Sequence, residues 1–493
     1  MAGLTIRAEI LKLARLCRVD AGQLEFLDGV PAPQLRMFRE AVQDSLFAGD
    51  DAVLFKRLGA AGALLPLALV AFLAQKVFGP VLGARVAGEM SAQRAIALAA
   101  RLPVEFLADI SVELDPARAR DILRGLPPER IRDVARELLA RGEFVTMGRF
   151  VGYLTHEAIR ATLDAFTRPG DLLRVAFFVE DQARLDEIVG MMADARLMDV
   201  MRAAQADPDG LWAQAVALLR DISVPLKRKL GELVTGQPPE VLASLAQAAH
   251  RQQLWDDILQ VVACMSEPAQ RRVATLPALC SAEIMGSVLV SADAGALWKD
   301  LLPLVDFMEE PQLRSMADAA TSALPVEALG RALNAANAGG KWEAILRLAR
   351  GMSAAQLDRV GAAAETLPKN AIAGLLLMAD ERGLWDAFLP IAAGLSDPLR
   401  RQVAELAVVA TPAMRERIID AARAAPQALW PALLKVIALV PPPQRVAYAE
   451  TVARRARAEP GLVERLAPAA ETLGLQDLLQ IARTALSQPS QSE

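Results

Sequence analysis

Tryptophan recurs on a fixed beat, and that beat leaves few folds open to the chain. Its six tryptophans are Trp212, Trp255, Trp298, Trp342, Trp385 and Trp430, spaced 43, 43, 44, 43 and 45 residues apart. Five follow leucine, and Lys341 precedes Trp342. A constant period in this range marks a stacked helical repeat, in which each unit buries its apolar face only against its neighbours. A chain of 493 residues exceeds one ordinary compact core, whereas a repeat array has no such limit.

Proline divides each period. Thirteen residues after tryptophan stand Pro225, Pro268, Pro311, Pro398 and Pro443, with Ala355 at that place in the Trp342 unit. A second proline follows, as Pro238, Pro277, Pro325, Pro368 and Pro412. Proline fits the first turn of a helix, where its missing N–H has no intrahelical partner, and is costly further in. Two prolines per period therefore predict three short helices per repeat. Ser223, Ser266, Ser353 and Ser396 lie two residues before the first proline position, placed to cap the second helix. In the first helix, Trp385, Phe388, Leu389, Ala392 and Leu395 fall on one helical face. The expected fold is an all-α solenoid of HEAT or armadillo type, with about six three-helix repeats of 43–45 residues preceded by irregular short-helix repeats.

Composition agrees. The chain is 53% hydrophobic but only 4% aromatic, so its apolar mass is alanine, leucine and valine, suited to closely packed helices. A net charge of −5 gives no whole-molecule attraction to nucleic acid. Cys17, Cys264 and Cys280 have no metal-ligand spacing and suggest a reducing compartment. The charges in Met1–Asp20 are too dense for a signal peptide. A cytoplasmic protein is expected, with the inner face of the membrane as the other possible place.

Four regions follow: an N-terminal helical region over 1–89, degenerate repeats over 90–205, the tryptophan-marked repeats over 206–487, and a disordered polar tail over 488–493. Gly49-Asp50-Asp51 reads as a turn. Residues 58–75 are uncharged and touch the lower length of a membrane span. Gly59, Gly62 and Pro66 within them, and Lys76 beyond, favour a buried solenoid helix, with an interfacial segment or a span as alternatives. Phe78-Gly79-Pro80 is expected to break the chain there.

In the second region, Arg101–Leu107 precedes Leu114-Asp115-Pro116, and Arg141-Gly142-Glu143-Phe144 precedes Leu154-Thr155-His156-Glu157. Asp115 and Thr155 are candidate caps, and Leu126-Pro127-Pro128-Glu129 opens another helix. Leu114–Leu123, followed by that Leu-Pro-Pro-Glu, resembles the short-helix repeats of the cytosolic N-terminal domain of MgtE-type magnesium transporters. That domain is an α-superhelix related to armadillo-like parts of the flagellar motor-switch protein. The resemblance covers roughly residues 90–170 and implies the fold type; it does not extend to transport or magnesium sensing, since the sequence lacks the regulatory domains and multi-span pore of such a transporter.

No phosphate-cradling glycine loop, zinc pattern or nucleophile elbow is present. His156 and His250 stand alone and read as surface or capping residues, and Asp256-Asp257 and Glu309-Glu310 as solvated or capping charges. No cofactor, metal or enzymatic activity is expected. The tryptophans read as wedges between repeats, or alternatively as an exposed ladder along a groove. Sixteen residues after tryptophan come Arg228, Arg271, Arg314 and Arg401, with Arg359 one place later. In register these form a basic line for an acidic segment of a protein partner, or else an ordinary solvated face. Arg149 joins the candidates because Met147–Leu154 holds one of two tyrosines and two glycines, which allow close packing or keep a cleft open. The expected function is a non-enzymatic scaffold or adaptor for a protein partner; the alternative is a peripheral membrane or lipid-associated protein using 58–87.

Overall fold

The computed structural model describes residues 2–48, 55, 57–58, 64–207, 210–368, 370–425, 427–459 and 461–487. The turn expected at Gly49–Asp51, the residues Gly59–Ala63 of the apolar segment, and the tail at 488–493 lie outside the described residues. Every regular element among the described residues is a helix. The chain is an all-α helical-repeat protein whose contacts group into two units, Met1–Gln237 and Pro238–Glu493.

In the second unit the three-helix repeat is plain. The Trp255 repeat runs Trp255–Cys264, Glu267–Ala274 and Ala282–Ala294; the Trp385 repeat runs Trp385–Gly394, Asp397–Val408 and Pro412–Ala424. The Trp298, Trp342 and Trp430 repeats follow the same order, and Gln476–Ser487 closes the unit. Each helix packs on those two or three places further along. Ala282–Ala294 lies on Glu310–Ala323, and Trp385–Gly394 lies on the equivalent first helix Trp430–Leu439. The prolines stand where expected: Pro268, Pro311, Pro398 and Pro443 occupy first turns, and Pro412 opens its helix. Pro303 turns most of one first helix into the tighter 3₁₀ form over Leu302–Phe307.

The serine caps divide. All four serines hold the extended backbone of an N-cap, but only Ser353 accepts a hydrogen bond, in a full capping box with Gln356. An N-cap oxygen uses the N–H of the second or third helical residue. Proline at the second position removes one of those donors in the other three repeats; the Trp342 repeat, which has Ala355 there, keeps it.

A recurrent helix stop explains the leucine before tryptophan. Two residues before the first helix, Gln253, Ala296, Gly340 and Gly383 all have positive φ. One residue on, the N–H of Leu254, Leu297, Lys341 and Leu384 reaches back to the carbonyl of Ala249, Ala292, Ala336 and Ala379 at 2.7–3.0 Å. This is the Schellman stop, which carries an apolar residue at the second position past the helix. Leu254 and Leu297 fill that place and are buried. Gly142 and Glu143 repeat the geometry in the first unit, with Glu143 N–H donating to Leu138.

The first unit begins with Ala2–Cys17 packed on Ala32–Ala48. Leu67–Leu73 then passes through a π turn at Ala74–Phe78 into Gly79–Glu89, so the expected break at Phe78-Gly79-Pro80 is a kink, with Gly79 at φ +70°, rather than an end. Short helices from Ala92 to Thr235 complete it. Thr155 caps His156–Leu163 as expected, accepting from the Ala158 N–H at 3.2 Å. Asp115 instead holds a turn, accepting from Ala117 N–H at 3.0 Å, and the helix after it starts only at Arg120. Gly148 is a close-packing position: a Cβ there would lie 2.5 Å from the Cβ of Phe178. Arginines tie successive short helices together. Arg130 donates to the carbonyls of Ala99 and Leu102, and Arg196 to those of Leu163 and Phe166, satisfying helix ends that lack intrahelical donors.

Candidate interaction surfaces

All six tryptophans are buried, between 3% and 7% exposed, so the wedge reading holds and the exposed ladder does not. The indole N–H of Trp298 donates to Asp293 at 3.3 Å, and that of Trp385 to Asp380 at 3.0 Å. Each aspartate lies five residues earlier, on the third helix of the preceding repeat. Each is also gripped by two nitrogens of an arginine on the next third helix: Asp293 by Arg331 at 2.8 and 2.6 Å, Asp380 by Arg417 at 2.8 and 2.7 Å. Hydrogen bonds from these guanidinium groups hold both carboxyls below the usual carboxylate range. A third helix, the first helix that follows it and the next third helix thus meet at one carboxylate. Aspartate five before tryptophan, with arginine 32 or 33 after it, is the pattern sequence reading passed over.

The arginine positions separate in the same way. Arg228, Arg271, Arg314 and Arg401 are exposed on their second helices. Arg271 lies over the Phe307 ring at 5.0 Å, and Arg314 pairs with Glu310 at 3.3 Å. Arg359 donates to the Leu324 carbonyl at 2.9 Å, an internal tie between repeats. Arg149 is half-buried and donates to the Gln43 side chain at 2.8 Å; burial pulls its pKa below the usual guanidinium value, with Arg39 nearby adding to the effect. His156 is exposed, 3.8 Å from Glu187. None of the three cysteines is in a disulfide. Among the described residues no three His, Cys, Asp or Glu side chains gather as a metal site would need.

Arg149 borders a buried charge cluster. Glu9 is 1% exposed and accepts from Lys12 at 3.0 Å and Arg39 at 3.0 Å; both cations also reach Glu180, at 3.0 and 2.8 Å. Burial by itself would raise the Glu9 carboxyl, but Lys12 and Arg39 outweigh it and hold it below its usual range. With Arg15–Glu143 at 2.6 Å and Arg18–Glu113 at 2.5 Å, this cluster fixes the first two helices onto the repeats of their unit largely through charge.

The apolar segment departs from the expectation of burial. Leu67–Glu89 is long and apolar enough to cross a membrane, yet only 17% of its most apolar stretch is buried. One side is packed: Ala71 and Ala84 join the core with Leu98, Leu102 and Ile110. The other side leaves Leu69, Phe72, Val77, Val81 and Leu82 exposed, with Leu64 and Leu65 before them. Of the large apolar side chains exposed among the described residues, all but Val224, Val290, Leu377, Val409 and Leu439 lie between residues 19 and 82. Hydropathy alone made a core helix and an interfacial helix look alike; only the packing partners separate them. Charge adds a signal that was readable in the sequence. From Ala52 to Gly88 the chain carries Lys56, Arg57, Lys76 and Arg85 and no acidic residue, in a protein of net charge −5.

No family model matches the chain, and no curated protein matches it. Among solved structures, the crystal structure of the pentatricopeptide repeat protein PPR10 from maize is similar at 13% identity, covering 94% of this chain and 87% of that one, with a TM-score of 0.16. A superposition that poor carries no argument about function, and the helical-repeat class rests on the helices themselves.

Proposed function

We propose that the chain is a non-enzymatic helical-repeat scaffold that docks on an anionic membrane surface through residues 64–82. The observation that carries this reading is the one-sided packing of Leu67–Glu89, whose outward side keeps leucine, phenylalanine and valine in contact with solvent. Burying about four such side chains in the headgroup boundary is worth roughly 6–10 kcal/mol gross, before the costs of association. Basic residues near an anionic surface add about 1 kcal/mol each. A span fits less well: one side is already packed on protein, and Lys76 would sit near mid-bilayer, where a charge costs about 3 kcal/mol or more. The likeness of residues 90–170 to a superhelical domain carried beside a membrane belongs with this reading. Co-sedimentation of the full chain with phosphatidylserine-containing vesicles tests it. Binding should fall when Leu69 and Phe72 are both changed to Asp, and in high salt; a chain that stays in the supernatant with every vesicle overturns it.

A second reading is favoured by the equivalent, exposed placement of Arg271, Arg314 and Arg401 on the Trp255, Trp298 and Trp385 repeats of the second unit. It takes these repeats as the surface on which the scaffold holds an acidic segment of a protein partner in the cytoplasm. Reversing the three charges to Glu should abolish recovery of that partner without changing the fold; equal recovery by both proteins rejects it.

A further inference from the structure

The helix Ala2–Cys17 packs on Ala32–Ala48, and beyond that hairpin it is tied to positions between 95 and 168 residues further along. The ties come from one row of cations. Lys12 and Arg15 on the helix, and Arg18 at the turn that ends it, stand at intervals of three and so share one side. Lys12 reaches Glu180 at 3.0 Å, Arg15 reaches Glu143 at 2.6 Å, and Arg18 reaches Glu113 at 2.5 Å. Glu113 ends Val104–Glu113, Glu143 follows Pro128–Ala140, and Glu180 follows Pro169–Ala176. Val104–Glu113 packs on Pro128–Ala140, and Phe144–Phe150, which Glu143 opens, packs on Pro169–Ala176. The three carboxylates therefore form one row along the stacked helices. From Lys12 to Arg18 the helix meets that row in reverse order. It crosses the repeats as a bound helix crosses a solenoid surface, and is not simply the next helix of the stack.

The hairpin is an incomplete match for this surface. Arg15 is 40% exposed and Arg18 62%, and pairs so open to solvent set register more than they hold. Beside the row, Arg149 donates to the amide oxygen of Gln43, on Ala32–Ala48, at 2.8 Å. Among the described residues it has no carboxylate within ion-pair distance. A carboxylate would hold that guanidinium about twice as strongly as a neutral amide does. The hairpin thus satisfies the acidic row while leaving a better contact unused.

We infer that Glu113, Glu143 and Glu180 form a docking surface for a basic amphipathic helix of a protein partner, one with lysine or arginine at every third position. The N-terminal hairpin occupies that surface in cis, and the partner helix displaces it. The inference rests on neither surface proposed above, because residues 64–82 and the second unit take no part in these pairs. A tethered occupant competes at an effective concentration of up to about a millimolar, so the free surface is revealed by weakening the tethered helix.

The probe is a fluorescein-labelled peptide of residues 2–48, followed by anisotropy as the full-length protein is added. Arg15→Glu/Arg18→Glu in the protein sets its own helix against Glu143 and Glu113. That protein should bind the native peptide at least roughly tenfold tighter than wild type does. Glu113→Lys/Glu143→Lys should refuse the native peptide and accept a peptide that carries Arg15→Glu/Arg18→Glu. This exchange of charges separates a lost pair from a lost fold. High salt should weaken both matched combinations. Equal binding by wild type and Arg15→Glu/Arg18→Glu overturns the inference. So does failure of the charge-reversed peptide to restore binding to Glu113→Lys/Glu143→Lys, or binding of both peptides alike by that protein.

Discussion

Trp298→Ala examines the wedge in the middle of the tryptophan-marked repeats. Trp298 is 5% exposed, sits at the start of its first helix and donates to Asp293 of the preceding repeat. A buried tryptophan removes about 200 Å² from water, which at about 25 cal/mol per Å² is roughly 5 kcal/mol of transfer free energy. Measured costs of such truncations, after partial collapse, run to about 3–5 kcal/mol. Trp298→Phe keeps most of the apolar area but loses the hydrogen bond to an ionised group, so it should cost about 2–3 kcal/mol. Urea unfolding followed by circular dichroism should order the midpoints as wild type, then Trp298→Phe, then Trp298→Ala. A midpoint for Trp298→Ala within error of wild type would falsify the wedge. The Asp293 share has its own pH signature: its carboxyl is lowered in the folded state by Arg331, so its contribution is present above the ordinary carboxylate pKa and lost as pH falls through the depressed one. Because Arg331 is more than half exposed, solvent screening keeps that ion-pair share small.

Ala296→Gly should stabilise the chain by about 0.5–1 kcal/mol, because Ala296 holds φ +53° at a helix stop where Gly383 serves its own repeat without strain; thermal unfolding checks it. Ser353→Ala should cost about 1 kcal/mol and Ser266→Ala only a few tenths, since only the former accepts a capping hydrogen bond. Gly361→Val should destabilise by about 3 kcal/mol or more, as even a Cβ there would lie 2.1 Å from the Gly394 carbonyl oxygen. Glu9→Gln should raise hydrogen exchange over residues 2–48 while leaving the tryptophan repeats protected; in the wild type the same loosening should appear as pH falls through the depressed Glu9 pKa, below the ordinary carboxylate range.

The repeat was legible because two signals with independent causes shared one period. Tryptophan marks where a large side chain is buried between repeats, and proline marks where a helix lacks its first donors. Helix number and order follow from those two. What stayed hidden depended on contacts between repeats. Asp293 and Arg331 are 38 positions apart and meet only once their third helices are neighbours. Arg359 looked like a surface cation but caps a carbonyl of the preceding repeat, because a guanidinium on a long stem reaches a neighbouring helix end. The exposure found within the apolar segment 58–75 was hidden for a related reason. Periodicity shows which side of a helix is apolar, but both sides of this one are, and composition does not say which side has a protein neighbour.

The surface at 64–82 is tested most directly by placing an environment-sensitive fluorophore on Phe72→Cys in a chain whose Cys17, Cys264 and Cys280 are changed to Ser. The same label on Val409→Cys, an exposed apolar position of the second unit, is the control. With phosphatidylserine-containing vesicles, the label at 72 should shift to the blue and be quenched by brominated lipid, while that at 409 keeps its aqueous spectrum. Unchanged emission at 72 in vesicles, or an equal shift at both positions, contradicts attachment through this surface.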